Sequence, residues 1–301
     1  MQSNASATDL STCKPPPLRA HKLRLLFLFT IILLSAFASL RHIFRSNTKI
    51  SLFERMHAHA KRLRVNVTLH NHTHRREAFH AISETDAWNS HETRGAGSTL
   101  AGPGSTLPYT APVRAWLGGV LSTWRIRSIA DMSCSELAWQ MHIPGFFDLE
   151  AFTGFDIVPS LVQRAAKAAA DAAIVRQTTG LSAPRFTFSS ADMVSDPTFP
   201  PHDLVILRDT LMHLPIADAL LALARIDASG SKWLVTTTFN NSDSGASNEF
   251  IQPGSWFPVD LLESPFFFPP PISVTLEGLP GTDRYGKKML GLWRLPVLGG
   301  P

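Results

Sequence analysis

The chain has 301 residues, 44% hydrophobic and 17% charged against the ~25% of an average soluble domain, which excludes a disordered chain and leaves room for one or two domains. Two cysteines, Cys13 and Cys134, exclude a disulfide scaffold. The net charge of +4 hides a division: residues 1–80 hold 13 Lys and Arg against 3 Asp and Glu, and the rest holds 15 against 21, giving +10 and −6. An acidic globular part is the wrong sign for neutralising phosphates, so nucleic acid is not expected as a substrate.

In chain order, residues 1–24 read as a basic cytosolic tail, with Cys13 as a weak palmitoylation candidate. Leu25–Leu40 (LLFLFTIILLSAFASL) carries no charge and is bracketed by Lys22, Arg24, Arg41 and Arg45. As a helix its 16 residues span about 24 Å, short of an average ~30 Å hydrocarbon core and nearer the about 27 Å of the endoplasmic reticulum. The run reads as the signal-anchor of a single-pass Golgi or endoplasmic-reticulum protein with a lumenal C-terminus. A signal peptide cleaved near Ala38, at Ala36-Phe37-Ala38, and a buried core helix are the competing readings. The charges on the two sides are nearly balanced and do not fix orientation.

Residues 41–100 read as a stem. Sequons stand at Asn66-Val67-Thr68 and Asn71-His72-Thr73, with a third at Asn240-Asn241-Ser242, so a glycoprotein is expected. His70, His72, His74 and His80 cluster without Cys or a tight acidic ligand set, so a solvated basic face is expected and no metal.

Residues 101–301 alternate helix and strand. Thr110–Arg125 reads as a helix, Ser128–Ser133 as a buried strand, Phe152–Ile157 as a second and Pro159–Ala173 as an Ala-rich helix. Arg185–Phe188, Asp203–Leu207 and Lys232–Phe239 follow as strands, with a helix at Pro215–Ile226. Ser273–Leu276 and Met289–Trp293 suggest a closing β-hairpin. This order predicts an α/β, Rossmann-like domain with a mostly parallel sheet and a C-terminal antiparallel hairpin.

Polar clusters fall at the carboxyl ends of those strands, where open α/β sheets bind ligands. After the first strand stand Asp131, Ser133, Cys134, Ser135 and Glu136. The second strand ends in Asp156, whose carboxylate suits two ribose hydroxyls, and Asp192 follows the third, placed to accept from an exocyclic amine. After the fourth come Arg208, Asp209 and His213. With no G-x-G-x-x-G and no G-x-x-x-x-G-K-[ST], the set describes an adenosine cofactor without phosphates, S-adenosylmethionine.

The chain resembles a class I methyltransferase, and within that class a family of small members. The family's G-x-G-S-T-L-x-Y-T is met by Gly102–Thr110, its D-x-P-C-G-D-x-x-W by Asp131–Trp139 (DMSCSELAW) and its G-x-D-I by Gly154–Ile157. Its R-D-x-L-x-H-L is met by Arg208–Leu214, S-G-S-x-x-L-x-T-T-F by Ser229–Phe239, W-x-P-x-N-L…P-F-x-F-P-x-P by Trp256–Pro271 and K-x-L-G-L-W by Lys288–Trp293. The resemblance covers about residues 95–294 and implies a seven-stranded sheet with S-adenosylmethionine over the first two strand ends. It adds Trp139 and Arg208 to the cofactor side, and Ser105, Trp256 and Asp260 to the acceptor side. Here Ser133 replaces a proline, Ser135 a glycine, Glu136 an aspartate and Asp260 an asparagine. A side chain at Ser135, where glycine permits positive φ and close approach, implies weakened cofactor binding.

The function expected is methyl transfer to an oxygen, with a glycan or another secretory-pathway acceptor as partner. His213 is the expected base, and Asp209, four residues earlier, is expected on the same helical face. The alternative is a silent binding protein on the same fold with a degenerate cofactor loop.

Overall fold

Seven strands form one sheet in the order β3-β2-β1-β4-β5-β7-β6. The strands are β1 (Ser128–Asp131), β2 (Ala151–Asp156), β3 (Arg185–Ser190), β4 (Leu204–Leu207), β5 (Trp233–Asn240), β6 (Ser273–Leu276) and β7 (Lys287–Arg294). This computed structural model describes residues 72–89, 97–196, 199–240, 247–277 and 287–298. Strands β1 to β5 pair in parallel, and β7 is antiparallel to both β5 and β6. The expected hairpin is therefore present, with its second strand inserted beside β5 along eight residue pairs, Trp233↔Arg294 to Asn240↔Lys287. The reason lies in the side chains. Leu290, Leu292 and Trp293 of β7 are all buried, whereas β6 alternates, with Val274 and Leu276 exposed, as an edge strand does.

Among the described residues four α-helices accompany the sheet: α1 (His72–Thr85), α2 (Leu107–Thr123), α3 (Pro159–Thr178) and α4 (Ile216–Ala228). Alternate residues of the central strands feed two apolar layers. Val205, Leu207 and Leu234 pack with Ile216, Ala219 and Leu223 of α4. Ile129, Leu204, Ile206 and Val235 pack on the other face with Val113 and Leu117 of α2 and Ala165 and Ala169 of α3. Helix α2 starts three residues before its predicted beginning, because Pro108 fits the first turn, where no N–H is needed. Helix α3 runs past Ala173 and stops where Gly180, at φ +75°, turns the chain.

The sequence reading put no element in residues 41–100, yet α1 lies there. Every third or fourth residue of α1 is turned inward (His72, Arg75, Phe79, Ile82), and Phe79 packs on the α4-side core. His72 keeps 43% of its side chain exposed, yet its Nδ1 reaches to 3.0 Å from the buried Asp192 Oδ2. Residues 25–40, Cys13, Asn66 and Asn71 lie outside the described residues, among which no helix is long and apolar enough to cross a membrane.

Candidate active site

A cavity of about 400 Å³ opens at the carboxyl ends of β1, β2 and β4. Its floor is the loop after β1. Met132 N donates to Ile206 O (2.9 Å) and Cys134 N to Phe155 O (2.9 Å), which carries the strand onward before the chain turns through Ser135 (φ +48°) and Leu137 (φ +63°). Left-handed backbone at a serine is the conformation a glycine would take without strain. The Ser135 hydroxyl is buried with no hydrogen-bond partner, while its N–H donates to Asp156 Oδ2 at 3.0 Å.

Two acids on this side are buried without a cation bonded to them. Asp156 accepts from the N–H groups of Ser135 and Val158, each at 3.0 Å. Asp131 accepts from Gln140 Nε2 (2.8 Å) and Ser133 N (3.2 Å). Burial raises both carboxyls to about 6, against the pull of those hydrogen bonds. Burial also pushes the Cys134 thiol up, with Asp131 and Asp156 adding to the shift.

At the opposite end the charges are paired. Arg208, almost fully buried, donates to Glu277 and to Gly104 O (2.7 Å), lies 3.3 Å from Asp209 Oδ2, and its guanidinium stands over the Trp139 ring at 5.3 Å. Lys288 Nζ is 2.7 Å from Asp209 Oδ2 and 3.5 Å from Glu277 Oε2. Burial alone would raise the Asp209 carboxyl, but Arg208 and Lys288 hold it well below the usual carboxylate range. Tyr109, beside this group, has its phenol raised by burial.

His213 and Asp209 do not share a helical face. Asp209 sits in left-handed backbone (φ +54°), and Leu211–His213 is a single 3₁₀ turn, so the i, i+4 geometry is lost. The Asp209 carboxylate goes to Lys288 and Arg208 instead. His213 is oriented by the Ser255 carbonyl, 2.9 Å from Nδ1. A carbonyl only accepts, so Nδ1 carries the proton and Nε2 keeps its lone pair, with no hydrogen-bond partner among the described residues. Burial lowers the imidazole pKa, partly opposed by the Ser255 bond and the Asp209 charge, which keeps the ring neutral near pH 7.

Of the remaining expected residues, Ser133, Cys134, Trp139, Arg208, Ser105 and Trp256 line the cavity. Ser133 Oγ shares a 2.5 Å hydrogen bond with Thr210 Oγ1. Asp192 also lines it, but its oxygens are not turned to an outside amine. They accept from Arg75 (2.7 Å), Ser195 (2.6 Å), His72 (3.0 Å) and Val194 N (2.9 Å). Those bonds overcome the cost of burial and hold its carboxyl at about 2. Glu136 is no wall of the cavity; its Oε1 accepts from Leu100 N at 2.8 Å and ties down the 97–105 loop. Asp260 is buried away from the cavity, its Oδ1 accepting from Leu262 N at 3.0 Å. Sequence reasoning missed Arg75 and Trp88 of the stem stretch, Gln140, and Glu277 at the end of β6. A lone acid closing an alternating apolar strand was the available signal for Glu277.

The chain matches no known protein family and no curated protein sequence. Solved structures do match. Magnesium protoporphyrin IX methyltransferase (ChlM) from Synechocystis PCC 6803 with bound SAH is similar over 75% of this chain and 100% of that one, at 13% identity and a TM-score of 0.50. The same enzyme with bound SAM matches over 76% and 99%, at 14% identity and a TM-score of 0.50. At those identities the likeness shows the fold, the Rossmann-like seven-stranded sheet of class I methyltransferases.

Proposed function

We propose that this chain is an S-adenosylmethionine-dependent O-methyltransferase of the secretory pathway, anchored through residues 25–40, with a glycan hydroxyl as acceptor. The observation that carries the reading is the pairing, in one cavity, of cation-free buried acids at the ends of β1 and β2 with a neutral, tautomer-fixed histidine after β4. The cofactor fits that donor set. It is a cation bearing two ribose hydroxyls, and Asp131 and Asp156 are carboxylates lacking a bonded cation. S-adenosylmethionine supplies an electrophilic methyl group on sulfur. Asp156 would hold the ribose, and the loop Ser133–Ser135 would support the methionine part. At the adenine end Asp192 is already engaged, so the amine would be met by other groups. Transfer of that methyl group to the acceptor oxygen would release the sulfur as a thioether, and His213 Nε2 would take the hydroxyl proton. The products are a methyl ether and S-adenosylhomocysteine.

Two observations favour a second reading, a non-transferring binding protein: the strained Ser135 and the occupied Asp192 both depart from an open cofactor cradle. The experiment presents the full-length protein with methyl-labelled S-adenosylmethionine and a panel of glycans. Transfer, lowered about 10²–10⁴-fold by His213→Ala with cofactor affinity retained, supports the enzyme. Cofactor binding with no transfer to any acceptor supports the binder. No cofactor binding removes the ligand assignment.

A further inference from the structure

The segment that carries α1 is seated in the domain by two glycines in other loops. Gly102 (φ +84°) leaves room for Trp88, whose Cβ would come within 3.1 Å of any Cβ placed there. Gly254 (φ +83°) does the same for Ile82, whose Cδ1 would stand at 2.6 Å. Asn89 Nδ2 then bonds Thr99 O at 2.7 Å. The segment is thus seated against the 97–105 loop at Trp88 and against the 252–256 loop at Ile82, and Trp88 lines the cavity. Its ring lies 5.0 Å from the His213 ring, centroid to centroid, at an interplanar angle of 34°, and 6.4 Å from the Phe79 ring at 59°.

The hydrogen bond from Nδ1 to Ser255 O fixes one atom of the imidazole but leaves the ring free to swing about that bond. A flat wall against one face removes that freedom. We propose that Trp88 is the positioning residue for His213, holding Nε2 toward the acceptor, and that its indole forms an apolar platform for the acceptor's ring. The proposal rests on the methyltransferase reading for its acceptor part, and on geometry alone for its effect on the histidine. The acceptor class it fits is a hydroxyl-bearing ring with one C–H face, such as a pyranose, stacked on tryptophan beside the base.

The charged groups acting on His213 are Asp209, after β4, and Lys288, on β7; neither is on the Trp88 segment. Replacing Trp88 therefore leaves the charges in place and changes only packing and access of water. Water at the ring favours imidazolium, so the histidine pKa rises toward its ordinary value of about 6.5.

The test uses full-length Trp88→Ala and Trp88→Phe. In the alanine variant kcat should fall about 10- to 100-fold, the usual cost of a misplaced catalytic group. The acceptor KM should rise, the acid limb of the kcat profile should move to higher pH, and the Kd for S-adenosylhomocysteine should stay within about twofold of the parent. The phenylalanine variant, which keeps a flat wall, should recover most of the loss. An unmoved acid limb with unchanged kcat overturns the proposal. So does a parallel loss of melting temperature, cofactor binding and turnover in both variants, which would make Trp88 a structural wall only. Should the parent bind S-adenosylhomocysteine yet methylate nothing, the methyltransferase reading fails. The histidine is then titrated by NMR: a raised His213 pKa in Trp88→Ala but not in Trp88→Phe supports its positioning, and no rise overturns it.

Discussion

If Asp131 and Asp156 hold the cofactor as proposed, its affinity should depend on pH in a direction that can be worked out. Both carboxyls are raised to about 6 because burial disfavours their charge. A folded pKa above the unfolded value of 3.8 means the native state binds the extra proton. Stability is therefore greatest below about pH 4 for these two groups and is lost as pH rises through 6. With 1.36 kcal/mol per unit, each costs the fold about 3 kcal/mol at pH 7.5. A ligand that donates hydroxyl and ammonium hydrogens to them binds the ionised forms and holds them ionised. At pH 5 a group of pKa 6 is ionised in about one molecule of eleven, so the apparent Kd should rise about 11-fold if one acid is used and about 120-fold if both are. S-adenosylhomocysteine is the ligand to titrate, between pH 5 and 7, where its amino group stays protonated. Calorimetry at pH 6 in two buffers of different ionisation enthalpy should show release of about 0.5 proton per acid used. A Kd that is flat from pH 7 to 5, with no proton release, would refute the assignment of these carboxylates to the ligand.

Arg75→Ala removes the cation between Asp192 and Asp218, which are 2% and 0% exposed, and should cost about 3–5 kcal/mol and lower the melting temperature by about 10 °C; an unchanged melting point would mean α1 is not held by this pair. Ser135→Gly relieves left-handed strain of about 1 kcal/mol and deletes a partnerless hydroxyl, so it should raise the melting temperature by about 2–4 °C and leave S-adenosylhomocysteine binding equal or tighter; markedly weaker binding would make the hydroxyl a ligand contact. Endoglycosidase should shift the mass of the full-length protein, and replacing Asn66 and Asn71 together should remove most of that shift; an unglycosylated cytosolic protein would end the anchor reading.

What the sequence made legible follows from which side chains bury apolar surface. Strands β1, β2, β4 and β5 are buried on both faces and appear as short apolar runs, within a residue or two of their observed ends. Helix α1 was hidden because the residue it buries most deeply is Arg75, which is favourable only with Asp192 and Asp218, 117 and 143 residues away. Strand-end position was enough to put Asp131, Asp156 and His213 on one cavity wall. It could not tell what each would meet: Asp192 is in the expected place with another partner, and the Asp209–His213 pair assumed a helix where backbone at positive φ forbids one. Nor does sequence spacing show that Ser255, 42 residues beyond His213, supplies the carbonyl that sets its tautomer.

The cavity's charges divide by whether each acid has a cation beside it. Asp209 and Glu277 are matched by Arg208 and Lys288, two against two, so that end carries no net charge and presents itself as a polar, balanced surface. Asp131 and Asp156 have only N–H donors, and burial, with no bonded cation to offset it, keeps their carboxyls raised. A cationic ligand is thus favoured at the β1–β2 end and a neutral one beside His213. Methyl transfer to a hydroxyl has that same polarity, since the donor is a cation and the acceptor an alcohol. An anionic acceptor such as a carboxylate would need an unpaired cation near His213. Lys288, the one lysine lining the cavity among the described residues, is already shared between Asp209 and Glu277. Glu277→Gln tests the balance. It leaves Arg208 and Lys288 with Asp209 as their only anion, two cations to one, and should shift acceptor preference toward acids while leaving the cofactor Kd within a few fold. An acceptor range unchanged in that variant would separate specificity from this charge network.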